Sequence, residues 1–374
     1  MTLPPVVGHG DLRERLGESA RAGRLPASLL FYGPEGVGKQ RLALWLARLL
    51  QCDRLEACGE CRGCRLALKL EHPDVHWFFP LPRPSGSRDR LREKLEDARM
   101  EALEEIREAP LRPRREEGAT GIYLAAVQEL RSMASRRPAM GPRSVFVVGD
   151  AEKMVPQAAN PEAANAFLKV LEEPPKDTYV FLTSSRPGAL LPTIRSRVLS
   201  LRVPPVDEEE VEGFLEEHAG LDAGEAGRLA GVSQGSIGRA LRLTTEEERE
   251  IRDEAADLLR LAIRGSRSRR LRHAVQVSPA GARGEFSEVL ATAEELIRDL
   301  LAAVTDGPGS AFAPSRARDI LDGHRPHPYS LIRAAESVDE ARRMADANVN
   351  PQAITAVLLE DLATTLRGNP RDGT

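Results

Sequence analysis

The chain has 374 residues, 41% hydrophobic and 29% charged, with a net charge of −4, a profile that fits a soluble globular protein of two or three domains. Aromatic residues make up only 4%, which argues against base stacking as its way of working. The charge balance carries no whole-molecule basic signature of nucleic-acid binding, although a local patch on one face is compatible with it. The longest apolar runs, such as SLLFY and VFVV, are strand-sized, far short of the roughly 20 residues a membrane span needs. MTLPPVVGHG lacks the charged-then-apolar pattern of a leader, so a cytoplasmic location is expected.

In chain order, residues 12–24 read as a polar-faced helix and SLLFY, Ser28–Tyr32, as a short buried strand. A glycine loop follows, then an amphipathic helix from about Lys39 to Leu50. A four-cysteine segment comes next, and HPDVHWFFPLP after it reads as a strand edge. Between Ser87 and Ala109 the chain is highly charged. Leu91, Leu95, Ala98, Ala102 and Ile106 form one stripe, which makes a helix, expected as a solvated surface insertion. PLRPRREEGAT reads as a polar loop and Tyr123–Arg136 as a helix. Val145–Gly149 (VFVVG) and Tyr179–Ser184 (YVFLTS) are apolar without alternation, as buried parallel strands are. Strands alternating with helices indicate a doubly wound α/β sheet. VPPVDEEEV, from Val203, marks a boundary, with Asp207 as helix cap. Two or three short helices to about Leu243 and an all-helical stretch to about Arg367 complete the chain, and GNPRDGT looks frayed.

GPEGVGKQ, Gly33–Gln40, is a phosphate loop up to its last letter. In G-x-x-x-x-G-K-[ST], backbone N–H groups wrap the phosphates, the lysine neutralises their charge and the hydroxyl holds Mg²⁺. Gly33, Gly36, Gly38 and Lys39 are present between a strand and a helix, which is the required context. Gln40 replaces the hydroxyl, and its longer amide does not suit a position that ligates Mg²⁺ at about 2.1 Å. Nucleotide binding stays open; hydrolysis is doubtful. A P-loop ATPase also ends a buried strand in an acid pair for Mg²⁺ and the attacking water. Here the strand end is VFVVGDAEKM. Either Gly149 takes the first acid place and Asp150 the second, or Asp150 takes the first and Ala151 the second. One acid is missing in both registers, and Asp150 and Glu152 are expected as solvated residues at a strand-to-helix turn.

Cys52, Cys58, Cys61 and Cys64 all lie within thirteen residues. A disulfide framework scatters cysteines, whereas clustering in a chain of this kind favours a metal. Four thiolates suit a closed, structural tetrahedral Zn²⁺ site; an iron–sulfur cluster can use four cysteines too.

NAFLKVLEEPPKDTYVFLTSSRPGALLPTIRSRV, Asn165–Val198, closely resembles the bacterial DNA polymerase III clamp-loader subunits, which are AAA+ proteins. LKVLEEPP with a downstream SRC-like triad, here Ser196-Arg197-Val198, is the specific part. The four-cysteine segment resembles the zinc module inserted after the first AAA+ helix in that family, and EARRMADANVNPQAITAVLLEDL resembles the last helices of its collar. The resemblance spans nearly the whole chain. It implies a RecA-like P-loop core with a parallel sheet at 1–203, its zinc module at about 52–64, a helical lid at 204–243 and an all-α collar for oligomerisation at 244–374.

That family contains a gamma/tau motor that hydrolyses ATP and a stationary partner that often does not. Gln40, the reduced acid pair, and Gly238 where the motor carries a nucleotide-sensing arginine (Arg239 is one place later) all resemble the stationary kind, as do HPDVHWFFP and DAEKM. The resemblance implies a hetero-pentamer with gamma/tau and delta subunits that loads the sliding clamp onto primer-template DNA. The link to DNA-directed DNA polymerase activity then runs through the holoenzyme. It implies Arg197 as an arginine finger acting in trans on a neighbour's ATP, Arg195 as a weaker alternate, and Ser184 or Ser185 at the position that touches a γ-phosphate. With Gly33, Gly36, Gly38, Lys39, Gln40 and Asp150, Ser184 completes the nucleotide-site set. Zn is the implied cofactor, with Cys52, Cys58, Cys61 and Cys64 as ligands; ATP and Mg²⁺ stay open. Lys169 and the surroundings of Arg131 are basic positions that can face DNA, or plain solvated charge. The charged helix and PEAAN depart from the family pattern. The competing readings are a gamma/tau-type ATPase and a different AAA+ replication or repair factor.

Overall fold

The computed structural model describes residues 2–84, 90–113, 120–154, 162–279, 284–305, 319–321 and 323–367. Parts of the 110–120 loop, Pro161 of PEAAN, the start of the charged segment at Ser87 and the terminal GNPRDGT lie outside them. Two compact units emerge: Met1–Arg115, Thr120–Ala230 and Gly235–Leu241 form the first, and the remainder, mainly Arg242–Thr374, the second.

The first unit is built on helix α1 (Gly10–Arg21), strand β1 (Ser28–Tyr32), α2 (Lys39–Leu50), α3 (Arg62–Leu68), β2 (Val75–Phe78), β3 (Leu81–Pro82), α4 (Leu91–Glu108), β4 (Thr120–Gly121), α5 (Leu124–Ala134), β5 (Ser144–Val148), α6 (Glu162–Glu172), β6 (Thr178–Ser184), α7 (Pro192–Arg195) and β7 (Leu199–Arg202). Three further helices close this part of the chain: α8 (Glu208–Ala219), α9 (Ala223–Ser233) and α10 (Ile237–Arg242). Five strands make a parallel sheet in the order β2-β5-β6-β1-β7. HPDVHWFFP supplies its outer strand β2, and β3 pairs antiparallel with β4 beside it.

Both faces of the sheet are covered. Leu29, Phe31, Val145, Val147 and Phe181 pack against Leu42, Leu46 and Leu49 of α2 and Leu12 and Leu16 of α1. The opposite face, with Leu30, Phe146, Val148, Val180 and Leu182, packs against Val127 and Leu130 of α5 and Phe167 and Val170 of α6. This double burial explains the unbroken apolar strands: successive side chains point to opposite faces, and each face meets a helix. Parallel order 6-1 at the centre brings the ends of β1 and β6 together, so the loop after Tyr32 and the serines after Thr183 open at the same edge.

α4 is not the solvated insertion expected of it. Leu95, Ala102, Leu103 and Ile106 are buried against Phe79 and Leu81. Its Arg99 is also buried, with Nη1 donating to Trp77 O (3.3 Å), an ion pair to Glu96 and the guanidinium over the Phe78 ring at 4.8 Å. The apolar stripe won over the charge count, because one face of an amphipathic helix is enough to dock it. Asp74, 3% exposed, fixes the turn before β5 by accepting the backbone N–H groups of Ala139, Met140 and Gly141.

The second unit contains α11 (Glu246–Arg264), α12 (Arg267–Gln276), α13 (Glu285–Val304), α14 (Pro328–Asp346) and α15 (Pro351–Arg367). They enclose one apolar core including Leu259, Leu290, Leu300, Leu331, Val338, Leu358 and Leu362. α12 is tied to α15 by a two-pronged pair: Arg270 donates from Nε and Nη2 to the two carboxylate oxygens of Glu360, each at 3.0 Å. Bidentate pairing of this kind fixes geometry as well as charge.

Two consequences can be measured. Leu95→Ala is expected to lower the urea-unfolding free energy by about 2–4 kcal/mol, the range for a buried leucine; a change below about 0.5 kcal/mol would mean a solvated α4. His76, stacked on Phe146 at 4.9 Å, is pushed down to about 4 by burial and then by Arg99. Its folded value lies below the unfolded one near 6.5. The unfolded chain therefore takes the proton first, and stability is unaffected above that value and falls as pH drops from about 6.5 towards 4, by up to about 3 kcal/mol. His72 shifts the same way through burial. In pH-dependent denaturant melts, His76→Phe should flatten most of this slope.

Candidate functional site

The phosphate loop connects β1 to α2, with Gly38 as the cap of the helix. Gly36 and Gly38 hold positive φ, +74° and +95°, as a chain that turns its N–H groups inward requires. Lys39 is only 5% exposed. Its ammonium folds back on the loop, donating to Gly33 O (3.0 Å), Pro34 O (2.6 Å) and Ser185 Oγ (2.9 Å). Burial lowers its pKa against the opposing pull of Asp150 and Glu152.

Gln40, one residue on, has a specific seat. Its Nε2 donates to Asp150 Oδ2 at 3.0 Å, and its Oε1 accepts from Trp77 Nε1 at 3.1 Å. A Cβ at Gly149 would meet Gln40 Oε1 at 2.6 Å, so glycine there leaves room for the amide. β5 ends at Val148, which puts Gly149 in the first acid place and Asp150 in the second. The reading of Asp150 and Glu152 as solvated residues at a turn is corrected for Glu152, which is buried, while Asp150 is half-buried. Asp150, at φ +47°, takes the Gln40 amide, and its own N–H donates to Thr183 Oγ1 (3.1 Å). Glu152 is 5% exposed, and its Oε1 accepts the N–H groups of Ser185 (2.9 Å) and Arg186 (3.2 Å). Backbone donors make burial of that carboxylate tolerable.

These residues do not fit magnesium. A neutral amide presents its hydrogens to the acid that would face the cation, and the neighbouring acid place holds glycine. Of the two serines, Ser185 reaches Lys39, while Ser184 is fully buried with its Oγ accepting the Arg186 N–H at 3.1 Å.

The turn into α10 rests on the apex of the loop. Ser236 Oγ donates to Glu35 O (2.9 Å), and Gly238 N donates to Gly36 O (2.9 Å). A Cβ on Gly238 would meet Gly36 Cα at 2.8 Å. The chain after β7 thus lies over the loop at Glu35 and Gly36, and Arg239 itself is buried.

Arg197 lies apart from this constellation. Its Nη1 donates to Thr193 O (2.9 Å) and Ser196 Oγ (3.3 Å), and its Nη2 pairs with Glu172 at 2.6 Å. Both side chains of that pair are more than a third solvent-accessible, 34% and 44%. Arg195, Arg131 and Lys169 are exposed.

At the far end of α2 the four cysteines converge. Their Sγ atoms all lie within 4.8 Å of one another. Cys52–Cys58 and Cys58–Cys64 are 3.6 and 3.9 Å apart, close to the about 3.8 Å edge of a tetrahedron with Zn–S near about 2.3 Å. Cys52 and Cys64 are buried; Cys58 and Cys61 are partly so. Burial works against a charged Cys52, but the backbone N–H groups of Cys58, Glu56 and Arg54 outweigh it and bring the thiol to about 6. Cys61 caps α3, its Sγ accepting the Cys64 N–H at 3.4 Å. The tetrad fits a structural Zn²⁺, closed to substrate by its four ligands.

Sequence reading missed Trp77 as the partner of Gln40 and Ser236 as the cover of the loop. The first had a usable signal, since a half-buried indole N–H seeks an acceptor; the second had none.

Residues 8–207 match the family described as DNA polymerase III, delta subunit. The chain is 34% identical over 179 residues to DNA polymerase III subunit delta' of Pseudomonas aeruginosa, covering 47% of this chain and 42% of that protein. It is 27% identical over 253 residues to subunit delta' of Escherichia coli K12, covering 67% and 64%. With subunit tau of Escherichia coli K12 it shares 29% over 253 residues, covering 66% and 33%. The matches thus span less than two thirds of the relatives' own lengths.

Chelation of metal from the purified chain is expected to lower its melting temperature. A loss of even about 2 kcal/mol corresponds to roughly 4–8 °C for a unit of this size. Cys64→Ser should melt at the lowered temperature and no longer respond to added zinc.

Proposed function

The chain belongs to the DNA polymerase III delta-subunit family, and on that premise we propose that it is the stationary, delta prime-type subunit of a clamp loader. In this reading it joins gamma/tau and delta subunits in a hetero-pentamer that loads the sliding clamp onto primer-template DNA during replication. The core at 1–203 and the lid at 204–243 form its AAA+ module, and the helical part at 244–374 is its collar. Zinc held by Cys52, Cys58, Cys61 and Cys64 is structural.

The observation that carries this reading is the seat of Gln40. A Mg-ATP site needs a cation ligand after the P-loop lysine and an acid pair opposite it. Here the amide joins Asp150 to Trp77, and Lys39 is spent on the loop's own carbonyls. The glycines Gly33, Gly36 and Gly38 then keep the shape of the loop, against which the lid turn packs. The chain's contribution to ATP chemistry is Arg197, offered to the γ-phosphate of a neighbouring motor subunit. Its present partner Glu172 is cheap to leave: exposed ion pairs are worth about 0–1 kcal/mol. A guanidinium on developing phosphoryl charge is worth roughly 10³–10⁵ in rate.

Two assays test the proposal together. The purified chain should show no Mg-ATP turnover, and Gln40→Thr alone should not create it, because Gly149 still lacks the acid. In a loader reconstituted with gamma/tau and delta, Arg197→Ala should reduce DNA- and clamp-stimulated ATPase at least about tenfold at the adjoining site while the complex still assembles. Robust turnover by the isolated chain, abolished by Lys39→Ala, would instead make it a gamma/tau-type motor.

A further inference from the structure

One stretch of the second unit departs from the charge balance of the rest. From Leu258 to Gly284 the chain has seven arginines and no aspartate or glutamate, in a protein whose net charge is −4. Four of these arginines, Arg267, Arg269, Arg270 and Arg272, fall on the ten residues of α12. Arg270 and Ala274 are its buried side. At about 100° per residue, Arg269 and Arg272 lie together on the opposite side and Arg267 on the flank. All three are exposed.

The folded unit neutralises little of this charge. Arg270 is taken by Glu360. Arg367 of α15 comes to the same place, since Arg270 Nη1 (2.7 Å) and Arg367 Nη2 (2.5 Å) both donate to Gly265 O. Two guanidiniums therefore converge on one carbonyl, with Glu360 as the carboxylate bonded there. Arg267, Arg269 and Arg272 have no side-chain hydrogen bond or close ion pair among the described residues. Local order works against them as well. The first turn of α12 holds Arg267 and Arg269 and no acid, at the helix end that carries partial positive charge. Arg269 and Arg272 are like charges three residues apart. An external polyanion relieves both.

We propose that the exposed face of α12 is a docking surface for the sugar-phosphate backbone of double-stranded DNA, with Arg267, Arg269 and Arg272 as its phosphate contacts. This rests on the reading of the chain as a subunit that works on primer-template DNA, and it adds a contact outside the phosphate-loop unit. Guanidiniums match phosphate oxygens with paired N–H donors and keep their charge at every working pH. Single strands are held largely by stacking of bases on aromatic rings. The other exposed residues of α12 are Ser268, Leu271, Val275 and Gln276, with no aromatic ring among them. A surface of charge alone favours the form with more charge per length, and duplex carries one negative charge per about 1.7 Å of axis. Such contacts position the duplex without reading its sequence.

The test uses the full chain and a labelled mixed-sequence duplex, followed by fluorescence anisotropy across a salt series. For three phosphate contacts the parent should show a slope of log K against log salt near about −3 or steeper. Arg269→Glu combined with Arg272→Glu should weaken duplex binding at least about tenfold at low salt and flatten the slope by about 2. Arg249→Glu combined with Arg343→Glu makes the same change of net charge at exposed positions elsewhere in the unit, and it should stay within about threefold of the parent. Melting curves of both variants near the parent's show that the fold is kept. Parental affinity in the α12 variant, or tighter binding of a single strand of the same length, overturns the proposal. So does displacement of the duplex by polyglutamate at equal charge, which would make an acidic protein the partner. Reconstitution with gamma/tau and delta keeps the two readings apart. The α12 variant should still assemble; loss of assembly with duplex binding intact would make α12 a subunit contact and overturn the proposal. A parent that binds duplex through α12 but does not assemble sustains this surface and overturns the clamp-loader reading instead.

Discussion

A carboxamide stands where P-loop chemistry ordinarily calls for a hydroxyl and a cation. Gln40 joins the indole of Trp77 on β2 to the carboxylate of Asp150 after β5, and the neighbouring strand end at Gly149 is open enough to admit it. Three separate stretches of chain are thereby fastened at one edge of the sheet by neutral and charge-assisted hydrogen bonds. A metal-dependent site keeps such groups exchangeable, because ligand and cation must enter and leave. Here the groups are satisfied within the protein, as buried polar atoms in a static core are.

The surrounding contacts follow the same logic. Lys39 donates to the loop that carries it, Glu152 accepts backbone N–H groups of Ser185 and Arg186, and the turn at Ser236–Gly238 lies on the loop apex. Lys39 Nζ and Glu152 Oε1, two charged groups at this edge, thus have partners inside the protein. The parallel sheet supplies the frame, since the β1–β6 register brings the glycine loop and the serine pair to a common edge.

α2 connects this edge to the cysteine tetrad. Its 12 residues span about 18 Å, with Lys39 and Gln40 in the first turn and Arg48 in the last. The buried face between them, Leu42, Leu46 and Leu49, belongs to the main core of the first unit. Gln40 thus fastens the first turn of α2 to Trp77 and Asp150, and the cysteine cluster begins two residues beyond its last turn.

The sequence by itself determined the parts whose signals are local. Unbroken apolar runs marked β1, β5 and β6; Gly38 and Lys39 marked the start of α2; and C-x5-C-x2-C-x2-C marked a set of thiols that the fold brings within 4.8 Å. Chemistry of that kind is written in spacing along a few residues. Tertiary structure alone decided which partner each polar group takes. Gln40 meets Asp150 across 110 residues and Trp77 across 37, and neither separation leaves a periodic trace. The same holds for Glu152, which the turn sequence made solvated and the packed serine turn made buried, and for α4, whose charges outnumber its apolar stripe although the stripe is what docks. Burial is a property of what arrives on the other side. A single stretch of chain can state which groups need partners, and only the folded arrangement supplies them.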